Sequence, residues 1–198
     1  MPPPMNATFA LTGGVACGKS AFARFLADAR CEILDADDIV RGLQSPGGPA
    51  LPLIRGAFGG AVFHPDGTLD RAALAAVVFN DPGARRALEA IMHPPVRAAF
   101  DAWRARPGAT PRVAVIPLLH ETGWQDDWPD VTCVAADPAL QMERLRRRGL
   151  NETEARARIR AQLPIGEKIK RAHRVVWNNG TLGELRAKAL QWMETTLS

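Results

Sequence analysis

Gly13-Gly14-Val15-Ala16-Cys17-Gly18-Lys19-Ser20 fits the spacing G-x-x-x-x-G-K-[ST] of a phosphate-binding loop. Its flanks agree. Thr8 to Thr12 reads as a short buried strand running into the glycines, and Ala21, Phe22, Phe25 and Leu26 recur at helical spacing behind Ser20. In such a turn, glycines let successive N–H groups face inward without a Cβ clash, and the helix that follows adds the positive end of its dipole. Lys19 can then reach the β- and γ-phosphates of a nucleoside triphosphate, and Ser20 can ligate Mg2+. Gly14, Val15, Ala16, Cys17, Gly18, Lys19 and Ser20 are therefore the expected nucleotide contacts. The loop alone does not separate a kinase from an ATPase, a GTP switch or a helicase.

The rest of the chain narrows the choice. Its 198 residues, 46% of them hydrophobic, suit one compact core with insertions. No apolar run reaches membrane-spanning length, so no membrane association is expected. Met1-Pro2-Pro3-Pro4-Met5 lacks a charged n-region and a long apolar stretch, which reads as a loose tail rather than a secretory signal. Cys17, Cys31 and Cys133 are odd in number without metal-ligand spacing, which predicts free thiols and a cytoplasmic setting. A net charge of +4 suits small anionic ligands and is too weak to argue for nucleic acid.

Further short strands are expected at Ile33-Leu34, Arg112 to Ile116, Val131 to Ala135 and Arg174 to Trp177, with helices between them. That is the pattern of βαβ units around a five-stranded parallel sheet. Residues 6–39, 107–136 and 171–198 form the expected nucleotide-binding core. Residues 40–106 interrupt it as a helical insertion, with Asp70 and Asp81 as N-caps and Pro82 in a first turn. Residues 137–170 form a second insertion, two arginine-rich helices that suggest a lid: one opened by Asp137-Pro138, the next by a capping box at Asn151-Glu152-Thr153-Glu154.

Asp35-Ala36-Asp37 stands at the carboxyl end of the second strand, where open α/β sheets bind ligands. A phosphoryl acceptor needs a carboxylate that takes its proton. If the strand continued, alternation would put Asp35 and Asp37 on one side, and spacing alone does not choose between them. Arg144 and Arg148 share a helix face, where a guanidinium on a closing lid can stabilise a transferring phosphoryl group. Glu121, in Pro117-Leu118-Leu119-His120-Glu121, follows the third strand to the same edge. That strand carries no terminal Asp, which argues against motor ATPases, and no D-x-x-G or N-K-x-D supports a GTP switch. His93, before Pro94-Pro95, is expected at a helix end, either capping or touching substrate. Asn178, in Asn178-Asn179-Gly180 after the fifth strand, is either a plain turn residue or a neighbour of the nucleotide base.

Taken in order, these motifs resemble the dephospho-CoA kinase family almost end to end. They are Leu11-Thr12-Gly13-Gly14 with Gly18-Lys19-Ser20, Leu34-Asp35-Ala36-Asp37 with Arg41, Asp66 to Arg71 with Val78-Phe79, His93-Pro94, Pro117 to Glu121, Gln141 with Arg144, and Arg158-Ile159 with Gln162. The resemblance implies a three-layer fold like that of nucleoside-monophosphate kinases, with a helical CoA-binding insertion and a lid. It implies transfer of the ATP γ-phosphate to the ribose 3′-hydroxyl of dephospho-CoA with Mg2+. It points to Asp37 as base, Lys19 and Arg144 as phosphate-side catalytic groups, and Asn178 as a nucleotide-side residue. Acceptor contacts are expected at Asp35, Arg41, Arg71, His93, Leu118, Glu121 and Arg158. A monomer or weak homo-oligomer is expected. The alternatives are another nucleoside or nucleotide kinase, and a non-catalytic nucleotide-binding module.

Against the family's usual Gly-Gly-Ile-Gly-Ser-Gly-Lys-Ser, Ala16 and Cys17 replace Gly and Ser. Ala16 keeps the loop's shape if it avoids the left-handed region, and Cys17, beside Lys19 and a helix N-terminus, is expected to have a lowered pKa and to be sensitive to oxidation or alkylation. His173-Arg174 stands where the family often has an acidic residue, which leaves the contacts at the adenine end open.

Overall fold

The computed structural model describes residues 7–197, so the expected N-terminal tail lies outside the described residues. The chain divides into two compact units, Met1–Asp35 with Pro107–Ser198, and Ala36–Arg106.

In the first unit five strands pair in the order β2-β3-β1-β4-β5, every pair parallel. They are β1 (Thr8–Gly13), β2 (Glu32–Asp35), β3 (Arg112–Val115), β4 (Val131–Ala135) and β5 (Arg174–Trp177). The three central strands are almost wholly buried, which explains their near-continuous apolar sequences. α1 (Lys19–Asp28) and α9 (Leu182–Thr196) pack together. Phe22, Leu26, Leu185 and Trp192 enter the core with Phe9 and Leu11, and full burial of a side chain such as Phe22 contributes about 2 kcal/mol. The Trp192 ring meets Phe9 edge-on at 5.1 Å, while its Nε1–H donates to Thr132 Oγ1 at 2.9 Å.

Because the sheet is parallel, its two edges differ in role. The carboxyl ends gather Gly13, Asp35, Ile116, Ala135 and Trp177 on one edge. β1 lies there between β3 and β4, the switch point at which such sheets bind ligands. The other edge carries buried Arg112, paired with Glu32 at 3.2 Å, and the Arg174–Asp130 pair. His173 Nδ1 accepts the Val131 N–H at 3.0 Å on that same edge. Arg174 thus starts β5 at this edge, with His173 just before it.

Residues 137–170 hold three helices rather than two: α6 (Pro138–Arg147), α7 (Glu152–Arg160) and α8 (Ile165–Lys170). α8 packs against β1 and β4. The Asn151 capping box is present, with Asn151 and Glu154 exchanging bonds at 2.9 Å. Asp137 precedes α6 without a side-chain capping bond; its N–H donates to Asn179 Oδ1 at 3.0 Å.

The second unit contains α2 (Ala36–Leu43), α3 (Leu51–Phe58), α4 (Arg71–Asn80) and α5 (Pro82–Ala105) around Ala50, Ile54, Val62, Leu74 and Met92. Asp70 caps α4 by accepting from Ala72 and Ala73 N–H, and Asp81 caps α5 by accepting from Gly83 N–H at 2.7 Å. α5 does not end at His93. It runs through Pro94 and Pro95, although these remove the donors for the Ala90 and Ile91 carbonyls. Met92, Val96, Phe100 and Trp103 form one buried stripe across the interruption, and that packing outweighs the local breaker. Leu43, Ala50, Leu53, Ile91, Pro94 and Pro95 line an apolar cavity of about 470 Å³ within this unit.

Candidate active site

The phosphate loop is built by fixing its carbonyls. Lys19, the first residue of α1, donates from Nζ to the Gly13 and Gly14 oxygens at 2.7 and 2.9 Å. The next three carbonyls go to side chains from elsewhere in the sequence: Val15 to Gln141 Nε2 at 2.8 Å, Ala16 to Arg144 Nη1 at 3.2 Å, and Cys17 to Asn178 Nδ2 at 2.9 Å. A trans peptide points its N–H opposite to its C=O. Gripping these carbonyls therefore turns the Ala16 and Gly18 N–H groups the other way, while the Cys17 N–H closes a turn onto the Gly14 oxygen at 3.3 Å, and no peptide among the described residues is cis. The result is a pre-aimed set of donors at the N-terminus of α1, suited to an anion.

The glycines are required by contact as well as by torsion. A Cβ on Gly13 would lie 2.1 Å from the Val134 oxygen, and one on Gly18, at φ +97°, would lie 2.2 Å from Asn178 Nδ2. Ala16 does adopt the left-handed region, at φ +58°. Its sequence condition for an undisturbed loop is thus not met, and the conformation costs roughly 1–2 kcal/mol. Its methyl is buried against Leu145 of α6 and Ala155 of α7, which offsets part of that cost.

Cys17 also corrects an expectation. Its thiol is fully buried and accepts from Gln141 Nε2 at 3.2 Å. Burial pushes its pKa up, against the opposing charges of Lys19 and Arg144. The thiol is therefore a packed group and not an activated one. All three cysteines are free and buried, and burial holds Cys31 at about 11 and Cys133 at about 12.

Of the nucleotide-side residues, Ser20 is exposed in the first turn of α1, and Asn178 is buried. Arg144, expected to face a transferring phosphoryl group, donates to two carbonyls, Ala16 and, at 2.8 Å, Asn178. β2 ends at Asp35 and α2 begins at Ala36, so alternation does not relate Asp35 to Asp37. Asp37 is exposed in the first turn of α2, where the helix dipole favours a carboxylate. Arg41 pairs with Asp38, and its carbonyl accepts from Arg71 Nη2 at 3.4 Å. His93 is half-buried in α5, while Leu118 and Arg158 are exposed.

Glu121 is held by the protein itself. It accepts the Leu163 N–H at 2.8 Å and pairs at 2.7 Å with Lys168, whose buried ammonium also donates to the Pro117 oxygen. The carboxylate thus fastens the turn after β3 to the α7–α8 segment. Lys168 was missed in the sequence, where its only sign is its place between Ile165 and Ile169 of a short helix. His120 beside it is buried, and neither ring nitrogen has a hydrogen-bond partner. Gln141 and Gln162 stood in the sequence only as companions of Arg144 and Arg158. Yet Gln162 Oε1 accepts the Val15 N–H at 2.8 Å.

The model of the family described as dephospho-CoA kinase matches residues 7–184. A dephospho-CoA kinase of Symbiobacterium thermophilum is 46% identical over 90% of this chain and 76% of its own length. One of Anaeromyxobacter dehalogenans is 48% identical over 90% and 87%. The crystal structure of TT1252 from Thermus thermophilus superposes with a TM-score of 0.85 at 36% identity, covering 97% of this chain and 98% of that one.

Proposed function

The chain belongs to the dephospho-CoA kinase family, a kinase that phosphorylates dephospho-CoA with ATP as co-substrate, and we propose how its residues divide that work. The observation that carries the reading is the loop whose Val15, Ala16 and Cys17 carbonyls are gripped from behind, leaving the Ala16 and Gly18 N–H groups to the ATP phosphates. Lys19, already at the loop, supplies a mobile positive charge for the β- and γ-phosphates. Arg144 and Asn178 serve nucleotide binding by holding the loop's shape.

Asp37 accepts the proton of the ribose 3′-hydroxyl. As that O–H bond breaks, the oxygen bonds to the γ-phosphorus, the bond to the β–γ bridging oxygen breaks, and ADP leaves. The exposed carboxylate in the first turn of α2 supports this assignment, with Asp35 at the strand end beside it in sequence. The exposed hydroxyl of Ser20 is a hard oxygen donor that fits Mg2+, which would supply charge neutralisation at the phosphates when bound.

The Ala36–Arg106 unit is assigned to the acceptor. Its apolar cavity suits a flexible uncharged arm, while Arg41, Arg71 and His93 suit the anionic part. Leu118 and Arg158 are assigned to the acceptor side of the first unit, and Glu121 acts there by fixing the turn. Residues 137–170 form the lid that excludes water from transfer. A reducing, cytoplasmic setting accords with the three free thiols, and a monomer or weak homo-oligomer is assigned.

The test is turnover with ATP, Mg2+ and dephospho-CoA, read as ADP and CoA. Asp37→Asn should lower kcat by about 10²- to 10⁴-fold with KM for ATP within twofold. Unchanged kcat with a raised KM for dephospho-CoA would reduce Asp37 to a binding residue.

A further inference from the structure

Val15 is the loop residue whose N–H and C=O both bond to side chains from outside the loop. Gln162 Oε1 takes its N–H and Gln141 Nε2 its C=O, each at 2.8 Å. These two bonds fix the peptide planes on either side of Val15. The second plane carries the Ala16 N–H, and Ala16 follows at φ +58°, a conformation an alanine does not hold unaided. The cavity behind Val15, about 190 Å³, is otherwise walled by Pro138, Ile159, Leu163, Pro164 and Ile165. Those side chains carry no acceptor that could take over from Gln162.

Gln162 is also placed to hold this grip. It lies in the short connection between α7 and α8, and the next residue, Leu163, is fastened through its N–H to Glu121 Oε1 at 2.8 Å. The connection is thus pinned at two consecutive residues, once on the phosphate loop and once on the turn after β3. Gln141 is anchored by α6, where it is buried.

We propose that Gln162 is a positioning residue for ATP: with Gln141 it fixes the two peptide planes flanking Val15, and so aims the Ala16 N–H that receives the phosphates. It acts through the loop and touches neither substrate. The inference rests on the loop being the ATP seat. Wild-type turnover of dephospho-CoA, measured in the same series, tests that seat separately.

The experiment is steady-state kinetics of Gln162→Met, which keeps side-chain length and removes the acceptor. KM for ATP should rise about tenfold, the scale of one lost hydrogen bond, with kcat within threefold and KM for dephospho-CoA within twofold. Gln162→Ser, a truncation at the same half-exposed position, should show the same split. A merely structural role would instead lower kcat through loss of active protein and leave both KM values alone. That result, or a KM for ATP within twofold of wild type in a folded variant, overturns the proposal. Absence of wild-type turnover would overturn the kinase reading instead.

Discussion

At the level of single residues, chemistry follows surroundings more than sequence neighbours. Cys17 is the sharpest case. Lys19 two residues on and a helix N-terminus suggest an activated thiolate, yet the thiol is at 0% exposure. Desolvation therefore dominates, and its pKa rises. Native protein treated with iodoacetamide at pH 8 should remain unlabelled at Cys17 over a period that fully labels a free thiol, while unfolded protein should label readily. Peptide mass spectrometry reads the difference, and rapid native labelling would contradict the buried setting. Ala16 teaches the same lesson about conformation. The residue type gives no sign that its φ is +58°, because the compensating contacts come from Leu145 and Ala155, more than a hundred residues away.

At the level of elements, much was legible. The β1 strand, the glycine loop and α1 form a local unit whose signals lie within about twenty residues, and the five strands stand at or within a residue of their expected places. Three caps were equally readable, because Asp70, Asp81 and Asn151 bond to N–H groups two or three residues on, whereas Asp137 makes no such bond. What was not legible depends on contacts distant in sequence. α5 continues through Pro94 and Pro95 because a stripe from Met92 to Trp103 is buried, and no local rule anticipates that. Gln141 and Gln162 reach the loop across more than a hundred residues, so their spacing to Arg144 and Arg158 says nothing of their hydrogen bonds. Local signals should also have local energetic weight. In α9, the Thr181 side chain accepts the Glu184 N–H at 3.2 Å and Glu184 returns a bond to the Thr181 N–H at 2.9 Å. Thr181→Ala should cost about 1 kcal/mol in urea unfolding without changing KM for either substrate. A loss below about 0.3 kcal/mol would mean that packing of Leu185, Ala189 and Trp192 fixes α9 without its cap.

For the molecule as a whole, the stability of the first unit depends on polar groups at the carboxyl edge of the sheet. Lys168, fully buried, is held by Glu121 and the Pro117 carbonyl, and His120 is buried beside them without a partner for either nitrogen. Burial lowers the His120 pKa below its usual 6.5; the positive charges of Lys168 and Arg171 act in the same direction, and Glu121 opposes them. A lowered folded-state value means that below pH 6.5 the unfolded chain takes up a proton that the native chain resists. The contribution of neutral His120 is thus fully present above pH 6.5 and is lost as pH falls through the lowered folded value. His120→Leu removes this dependence and replaces two unsatisfied nitrogens with an apolar group. Between pH 7.5 and 5.5, chemical denaturation should show a shallower loss of stability for His120→Leu than for wild type. The variant should be at least as stable at pH 7.5. Parallel pH profiles for the two proteins would mean that His120 titrates natively as it does unfolded. The acid sensitivity of the fold would then belong to other groups.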